Sequence, residues 1–268
     1  MMYAEVIGDP IAHSKSPIIH GFWLEALGIE AAYRATRVEA DGLAAFFAER
    51  AADPDWRGCN VTIPHKEAAL DHVPDPGDVR GSIGAINTVF RGDDGKLIGT
   101  NTDAAGFYAP LGDTDLAGGH AVVIGSGGAA RAILFALSRM GIGAVTLMAR
   151  NPLKGAGLLA KFGLKGDVVD FAAPLPPVDL VVNASPLGMT GQPSLILDLD
   201  DQPEHAIVYD IVYAPLETPL LAAARARELA TIDGLEMLIG QAAAAFGLFF
   251  GAEPPRDRDD ELRARLIA

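Results

Sequence analysis

The stretch His120-Ala121-Val122-Val123-Ile124-Gly125-Ser126-Gly127-Gly128-Ala129-Ala130 decides the architecture. Five residues dominated by branched apolar side chains read as a strand, a glycine-rich turn follows, and Ala129 to Met140 has helical spacing until Gly141 stops it. Gly125 permits the tight turn, Gly127 lets the backbone approach a pyrophosphate, and Ala130 stands where a small residue lets helix pack on sheet. A helix starting here presents unpaired N–H groups and the positive end of its dipole, so a phosphate needs no lysine. A glycine pattern alone also fits an ordinary strand–helix turn; the strand before it and the helix after it favour a dinucleotide site.

Outward from that loop the rhythm continues through Ala144–Met148, Val178–Asn183 and Ala206–Asp210, the alternation of a doubly wound nucleotide fold. An NAD site would place Asp or Glu about 20 residues past the loop, at the end of the next strand. There Leu147-Met148-Ala149-Arg150-Asn151-Pro152 supplies Arg150 instead, with Lys154 one turn later. A guanidinium suits a 2′-phosphate, so the expected cofactor is NADP.

The first half also alternates. Tyr3–Gly8 reads as a strand, Ser16–Leu27 as a helix opened by Pro17 and closed by Gly28, 33–38 as a strand, Leu43–Ala51 as a helix and 58–62 as a strand. This predicts an α/β unit with a mainly parallel sheet, and places Asn60–Lys66 at the carboxyl end of a strand, where ligands bind. A last apolar helix, about Met237–Gly251, must pack on other structure, whereas the charged stretch Glu253–Arg265 is expected to face solvent.

Composition narrows the function classes. The chain has 268 residues, 50% of them hydrophobic, and a formal net charge of -14. That length suits two domains of roughly 100 to 150 residues. So acidic a chain does not suit nucleic-acid backbones, which are gripped by clustered Lys and Arg. The start lacks the basic and apolar regions of a secretory signal, and the longest apolar stretch, Ala242–Phe250, is broken by Gly247 and falls short of the roughly 20 residues that span a bilayer. A lone Cys59 suits a reducing compartment, so the expectation is a cytoplasmic, membrane-free protein acting on a small molecule, as monomer or homodimer.

Two segments carry the chemistry: Asn60-Val61-Thr62-Ile63-Pro64-His65-Lys66 and Gly99-Thr100-Asn101-Thr102-Asp103. They offer one lysine, one aspartate and several small polar groups, a set suited to reducing a carbonyl on a hydroxylated substrate. Ser14 and Ser16 either cap the helix after them or donate together to a carboxylate, and their pairing favours the second. His65 reads as a hydrogen-bonded structural histidine; His13 and His20 have no metal-ligand spacing, and no metal site is expected.

With Ser14-Lys15-Ser16-Pro17, Asn60–Lys66, Gly84-Ala85-Ile86-Asn87-Thr88-Val89, Asn101-Thr102-Asp103 and Gly125–Ala129 in this order, the chain resembles the shikimate dehydrogenase family. Asn183-Ala184-Ser185-Pro186-Leu187-Gly188-Met189, Tyr209-Asp210-Ile211-Val212-Tyr213 and Gly234–Gln241 extend the resemblance over nearly the whole length. It implies NADP-dependent reversible reduction of 3-dehydroshikimate to shikimate, in aromatic amino acid biosynthesis, with quinate or aminoshikimate oxidation, or a regulator without chemistry, as alternatives. The resemblance further implies that Lys66 and Asp103 form the catalytic pair, that Ser14 and Ser16 hold the carboxylate, and that Asn60, Thr62, Asn87, Tyr213 and Gln241 line the ring. It implies cofactor contacts at Gly125, Ser126, Gly127, Gly128, Ala129, Arg150, Lys154, Asn183, Ser185, Ile211 and Gly234. The implied organisation is a substrate-binding and catalytic domain over 1–102, a Rossmann-like NADP domain over 103–234, and a C-terminal helical segment, 235–268, returning to the first. The adenosine edge departs from the family pattern: Ala149-Arg150-Asn151 replaces Asn-Arg-Thr and Lys154 a second arginine, which predicts a weaker phosphate grip. The last helix also lacks the family's tryptophan.

Overall fold

A computed structural model describes residues 1–268. The backbone packs as two compact units, Met1–Asp103 with Ile239–Ala268, and Ala104–Leu238.

The first unit is built from β1 (Tyr3–Gly8), α1 (Ser16–Leu27), β2 (Ala32–Arg37), α2 (Leu43–Ala52), β3 (Trp56–Val61), the single turn α3 (Val79–Ser82), β4 (Thr88–Arg91) and β5 (Leu97–Thr100). Its sheet has the order β2-β1-β3-β4-β5. β1 runs parallel to β2 and β3, but β4 is antiparallel to both β3 and β5, which corrects the expectation of a mainly parallel sheet. The cause is local. Gly95, with φ +79°, turns the chain between β4 and β5, and a connection this short can join only antiparallel strands. Glu5 is fully buried in β1 and accepts from Arg50 Nε at 2.7 Å and Trp56 Nε1 at 2.9 Å, so an ion pair ties β1 to α2 and β3 from inside.

The second unit contains β6 (His120–Ile124), α5 (Gly128–Arg139), β7 (Ala144–Met148), α6 (Pro152–Lys161), β8 (Gly166–Val169), β9 (Leu180–Asn183), β10 (Ile207–Asp210), α7 (Pro219–Ala226) and β11 (Ala230–Ile232), preceded by α4 (Asp103–Tyr108). All six strands are parallel, in the order β11-β10-β9-β6-β7-β8. Side chains of β6 alternate between two cores. Ala121 and Val123 join Ile133 and Leu137 of α5 on one face; Val122 and Ile124 join Leu220 and Leu221 of α7 on the other. The order reverses between β6 and β9, which opens a crevice at the carboxyl ends of those two strands.

α8 (Gly234–Phe250) brings the chain back, its residues from Ile239 onward belonging to the first unit, and α9 (Asp259–Ile267) ends it. The stretch 253–265 is not wholly solvent-facing as expected. Leu262 and Leu266, one turn apart in α9, are buried, and the guanidinium groups of Arg258 and Arg265 lie 4.8 and 4.7 Å from the Phe22 ring centroid of α1. Two apolar side chains are enough to dock a helix that is otherwise charged. No helix is long and apolar enough to cross a membrane.

Candidate functional site

The antiparallel part of the first sheet assembles the site. Because β4 reverses between β3 and β5, the end of β3, the start of β4 and the end of β5 share one edge, with Asn60 opposite Thr88 and Thr88 opposite Thr100. Backbone bonds continue the alignment beyond the strands: Val61 N donates to Asn87 O at 2.7 Å and Ile86 N to Lys66 O at 2.7 Å. Three loops far apart in sequence are thereby held side by side.

Their side chains form one network. Lys66 Nζ donates to Asp103 Oδ2 at 2.5 Å, and Asn87 Nδ2 donates to the other oxygen, Oδ1, at 2.9 Å. Asn87 Oδ1 in turn accepts from Thr102 N at 2.7 Å and from Thr88 Oγ1 at 3.0 Å, and Asn101 Oδ1 accepts from Asp103 N at 3.0 Å. Asp103 is thus fixed at both oxygens and at its backbone. The Lys66 side chain is 15% exposed and Asp103 5%, so the ammonium stands at the mouth of a buried polar cluster. One of its three N–H bonds goes to Asp103.

Asn60 and Gln241 join the same cluster, Asn60 through Thr88 Oγ1 at 3.1 Å and Gln241 by accepting from Asn87 Nδ2 at 3.4 Å. Thr62 is half-buried on the loop that leads to Lys66. Ser16 is buried in the first turn of α1, and its backbone N–H donates to Ser14 Oγ at 3.3 Å; Lys15 stands at the N-cap without a side-chain bond to the helix. Tyr213 lies in the second unit, half-buried, and burial raises its phenol pKa. His65 Nε2 sits 2.6 Å from Val38 O, which makes it a donor to a carbonyl in a buried structural role. Burial pushes the Cys59 thiol well up, which leaves it unreactive. Sequence reasoning missed Thr88, Thr102 and Tyr33 as members of the network; the first two are adjacent to predicted residues, whereas Tyr33 carries no motif.

In the second unit the glycine loop follows β6 directly. Gly125 has φ +114°, and a Cβ there would lie 2.9 Å from Ala184 O, so only glycine fits the turn beside β9. A Cβ on Gly127 would meet nothing within 4 Å, which leaves that face of the loop open. Gly127 caps α5 without a side-chain bond, and Gly128 and Ala129 open the helix, so its first N–H groups face outward with Ser126 just before them. Ala130 is fully buried against the sheet. Arg150 is exposed at the end of β7, and Asn151 Oδ1 caps α6 by accepting from Lys154 N at 3.0 Å. These features fit a dinucleotide with a 2′-phosphate.

The neighbouring strand ends are tied together. Asn183 Nδ2 donates to Asp210 Oδ1 at 2.9 Å while Asn183 Oδ1 accepts from Ser185 Oγ at 2.7 Å. Ile211 N donates to Asn183 O at 3.2 Å, and Gly234 is so close to the same segment that a Cβ would meet Ile211 O at 2.5 Å. Asn183, Ser185, Ile211 and Gly234 therefore form one continuous rim beside the loop. No group of three or more His, Cys, Asp or Glu gathers in the manner of a metal site.

The pattern of the shikimate dehydrogenase substrate binding domain matches residues 6–89, and that of the shikimate 5′-dehydrogenase C-terminal domain matches residues 234–259. The chain is 67% identical to shikimate dehydrogenase (NADP(+)) of Sphingopyxis alaskensis, over 99% of this chain and 97% of that one. Among solved structures, shikimate 5-dehydrogenase from Thermus thermophilus in complex with NADP(H) and shikimate superposes with a TM-score of 0.88 at 38% identity, covering 99% of this chain and 100% of its own. A ligand-free 5-ketofructose reductase from Gluconobacter sp. strain CHM43 reaches the same TM-score at 29% identity, covering 99% of this chain and 97% of its own. On sequence and structure alike, the chain belongs to the shikimate dehydrogenase family of NADP-dependent oxidoreductases.

Proposed function

We propose that this chain catalyses the reversible NADP-dependent reduction of 3-dehydroshikimate to shikimate, and that the observation carrying this reading is the Lys66–Asp103 pair fixed by Asn87 at the mouth of a polar cluster. Residues 1–102 bind substrate and, with Asp103 at the head of the next segment, perform catalysis; 103–234 bind NADP, and 235–268 complete the substrate domain. Ser14 and Ser16 hold the carboxylate; Asn60, Thr62, Asn87, Tyr213 and Gln241 hold the ring hydroxyls. Gly125, Ser126, Gly127, Gly128 and Ala129 receive the pyrophosphate, Arg150 and Lys154 the 2′-phosphate, and Asn183, Ser185, Ile211 and Gly234 border the rest of the cofactor.

Bound NADPH supplies the hydride. As negative charge grows on the ketone oxygen, Lys66 Nζ stabilises it by hydrogen bonding and then transfers a proton to it; in the reverse direction Lys66 takes the hydroxyl proton. Asp103 aims the ammonium by accepting one of its N–H bonds, and Asn87 fixes Asp103 in turn. A 5-ketofructose reductase shares this fold, and a fold alone does not fix the substrate.

Nicotinamide absorbance tests the reading, with purified protein offered shikimate or quinate against NADP or NAD in every pairing. Fastest cofactor reduction with shikimate and NADP is expected. Preference for quinate or NAD would move the substrate or cofactor assignment, and binding without turnover in every pairing would favour a regulator. Lys66→Ala is expected to lower kcat about 10²- to 10⁴-fold with a much smaller change in KM for shikimate; unchanged turnover would remove Lys66 from its role.

A further inference from the structure

Tyr33 belongs to no motif, yet it reaches the site from β2. Its ring is buried and stacked face to face on the imidazole of His20 in α1, with centroids 3.9 Å apart and planes 1° from parallel. His20 is itself fully buried among Trp23, Phe246 and Phe249, and neither ring nitrogen has a partner. Burial lowers its pKa to about 3, so the stack is between two neutral rings. That packing holds the Tyr33 ring in one plane and aims its hydroxyl at Asn60 Oδ1, 2.6 Å away.

The chemistry of the partners settles which way the Asn60 amide faces. Asn60 Nδ2 lies 3.4 Å from Asn87 O and 3.1 Å from Thr88 Oγ1. A backbone carbonyl only accepts, so the nitrogen end belongs there, the oxygen end faces Tyr33, and Tyr33 must donate. Burial drives the phenol pKa well up, which preserves the proton it donates. Both N–H bonds of Asn60 are then committed, and Oδ1 keeps one lone pair. We propose that Tyr33 is a positioning residue that, together with Asn87 O and Thr88 Oγ1 at the opposite end of the amide, holds Asn60 as a hydrogen-bond acceptor, so that the ring position facing Asn60 is selected for a group that donates, a hydroxyl. The proposal rests on the reading of Asn60 as a ring-binding residue.

Tyr33→Phe retains the ring on His20 and removes only the hydroxyl. Binding of shikimate by titration calorimetry, together with steady-state kinetics, reads the effect. The expected result is about a three- to tenfold rise in Kd and KM for shikimate, as for the loss of one hydrogen bond, with kcat and KM for NADP within about twofold of wild type. Shikimate analogues carrying fluorine in place of the hydroxyl at C4 or C5 keep size and polarity but cannot donate. For wild type, one of the two should bind at least about tenfold more weakly than shikimate, and Tyr33→Phe should narrow that gap. Equal affinities for both analogues and shikimate, an unchanged Kd in the variant, or failure of wild type to bind shikimate would each overturn the proposal. Should Tyr33→Phe not fold, the wild-type analogue series decides alone. Binding without turnover would count against the proposed reaction and leave the role of Tyr33 to be read from Kd.

Discussion

Asp103 in the first unit and Asp210 in the second make a matched pair with opposite characters. Each stands at the end of a strand or just past it, and each accepts a hydrogen bond from an asparagine side chain at 2.9 Å, Asn87 for Asp103 and Asn183 for Asp210. The remaining partners differ. Asp103 faces an ammonium that is partly open to solvent. Asp210 is fully buried and meets only neutral donors, Val212 N at 3.0 Å and Thr218 Oγ1 at 2.7 Å. Burial raises the carboxyl pKa of Asp210 against the opposing pull of those donors. A perturbed acid is often the mark of a reacting group. Asp210 instead joins backbone segments, and the carboxylate suited to chemistry is the one with a cation at its side.

Asp103→Asn tests that contrast where the effect should be largest. The amide keeps the bond to Asn87 by its oxygen but turns an N–H toward Lys66 in place of an acceptor, so the ammonium is no longer aimed, and kcat is expected to fall about 10²-fold or more while the unfolding midpoint shifts little. A variant with near-normal turnover would make Asp103 as architectural as Asp210. A smaller effect is expected where the cofactor half relies on one exposed side chain. Arg150→Ala should lower kcat/KM for NADP about ten- to a hundredfold and leave NAD nearly untouched, narrowing the preference between them. Equal losses with both cofactors would assign Arg150 to the adenosine in general.

The same contrast separates what can be read in the sequence from what cannot. In the second unit, β6, β7, β9 and β10 are central parallel strands buried on both faces, and such strands announce themselves as unbroken apolar runs. The two edge strands, Gly166–Val169 and Ala230–Ile232, are short and partly exposed and carry no such run. In the first unit, β4 and β5 are four residues each and neither alternates, Thr88-Val89-Phe90-Arg91 and Leu97-Ile98-Gly99-Thr100, and without them the antiparallel half of the sheet goes unseen. Lys66, Asn87 and Asp103 are legible because they lie in local motifs. Tyr33 is not: only the pairing of β2 beside β1, and β1 beside β3, carries it toward Asn60. For the same reason a helix with two buried leucines reads as a solvated tail.

Asp210→Asn sharpens the comparison at its small end. The amide oxygen can still accept from Asn183 Nδ2 and Val212 N, as Oδ1 does now. Its nitrogen then faces Thr218 Oγ1, which already accepts from Leu221 N at 3.3 Å to cap α7 and has a second lone pair to offer. The contact remains with its donor reversed, but the Thr218 hydroxyl proton loses its acceptor in a buried site, so the expected cost is about 1–3 kcal/mol, with kcat near wild type. The pH dependence has a definite sign. A carboxyl whose folded pKa lies above its ordinary 3.8 binds its proton more tightly in the native state than in the unfolded one. Its contribution to stability therefore falls as pH rises from 3.8 through the raised folded value, and is level above it. The amide has no such dependence. Denaturant unfolding of both proteins across that window should show wild type losing ground to Asp210→Asn as pH rises. The opposite slope would mean that three neutral donors outweigh burial, and that Asp210 is held as an anion as firmly as a carboxylate beside a lysine.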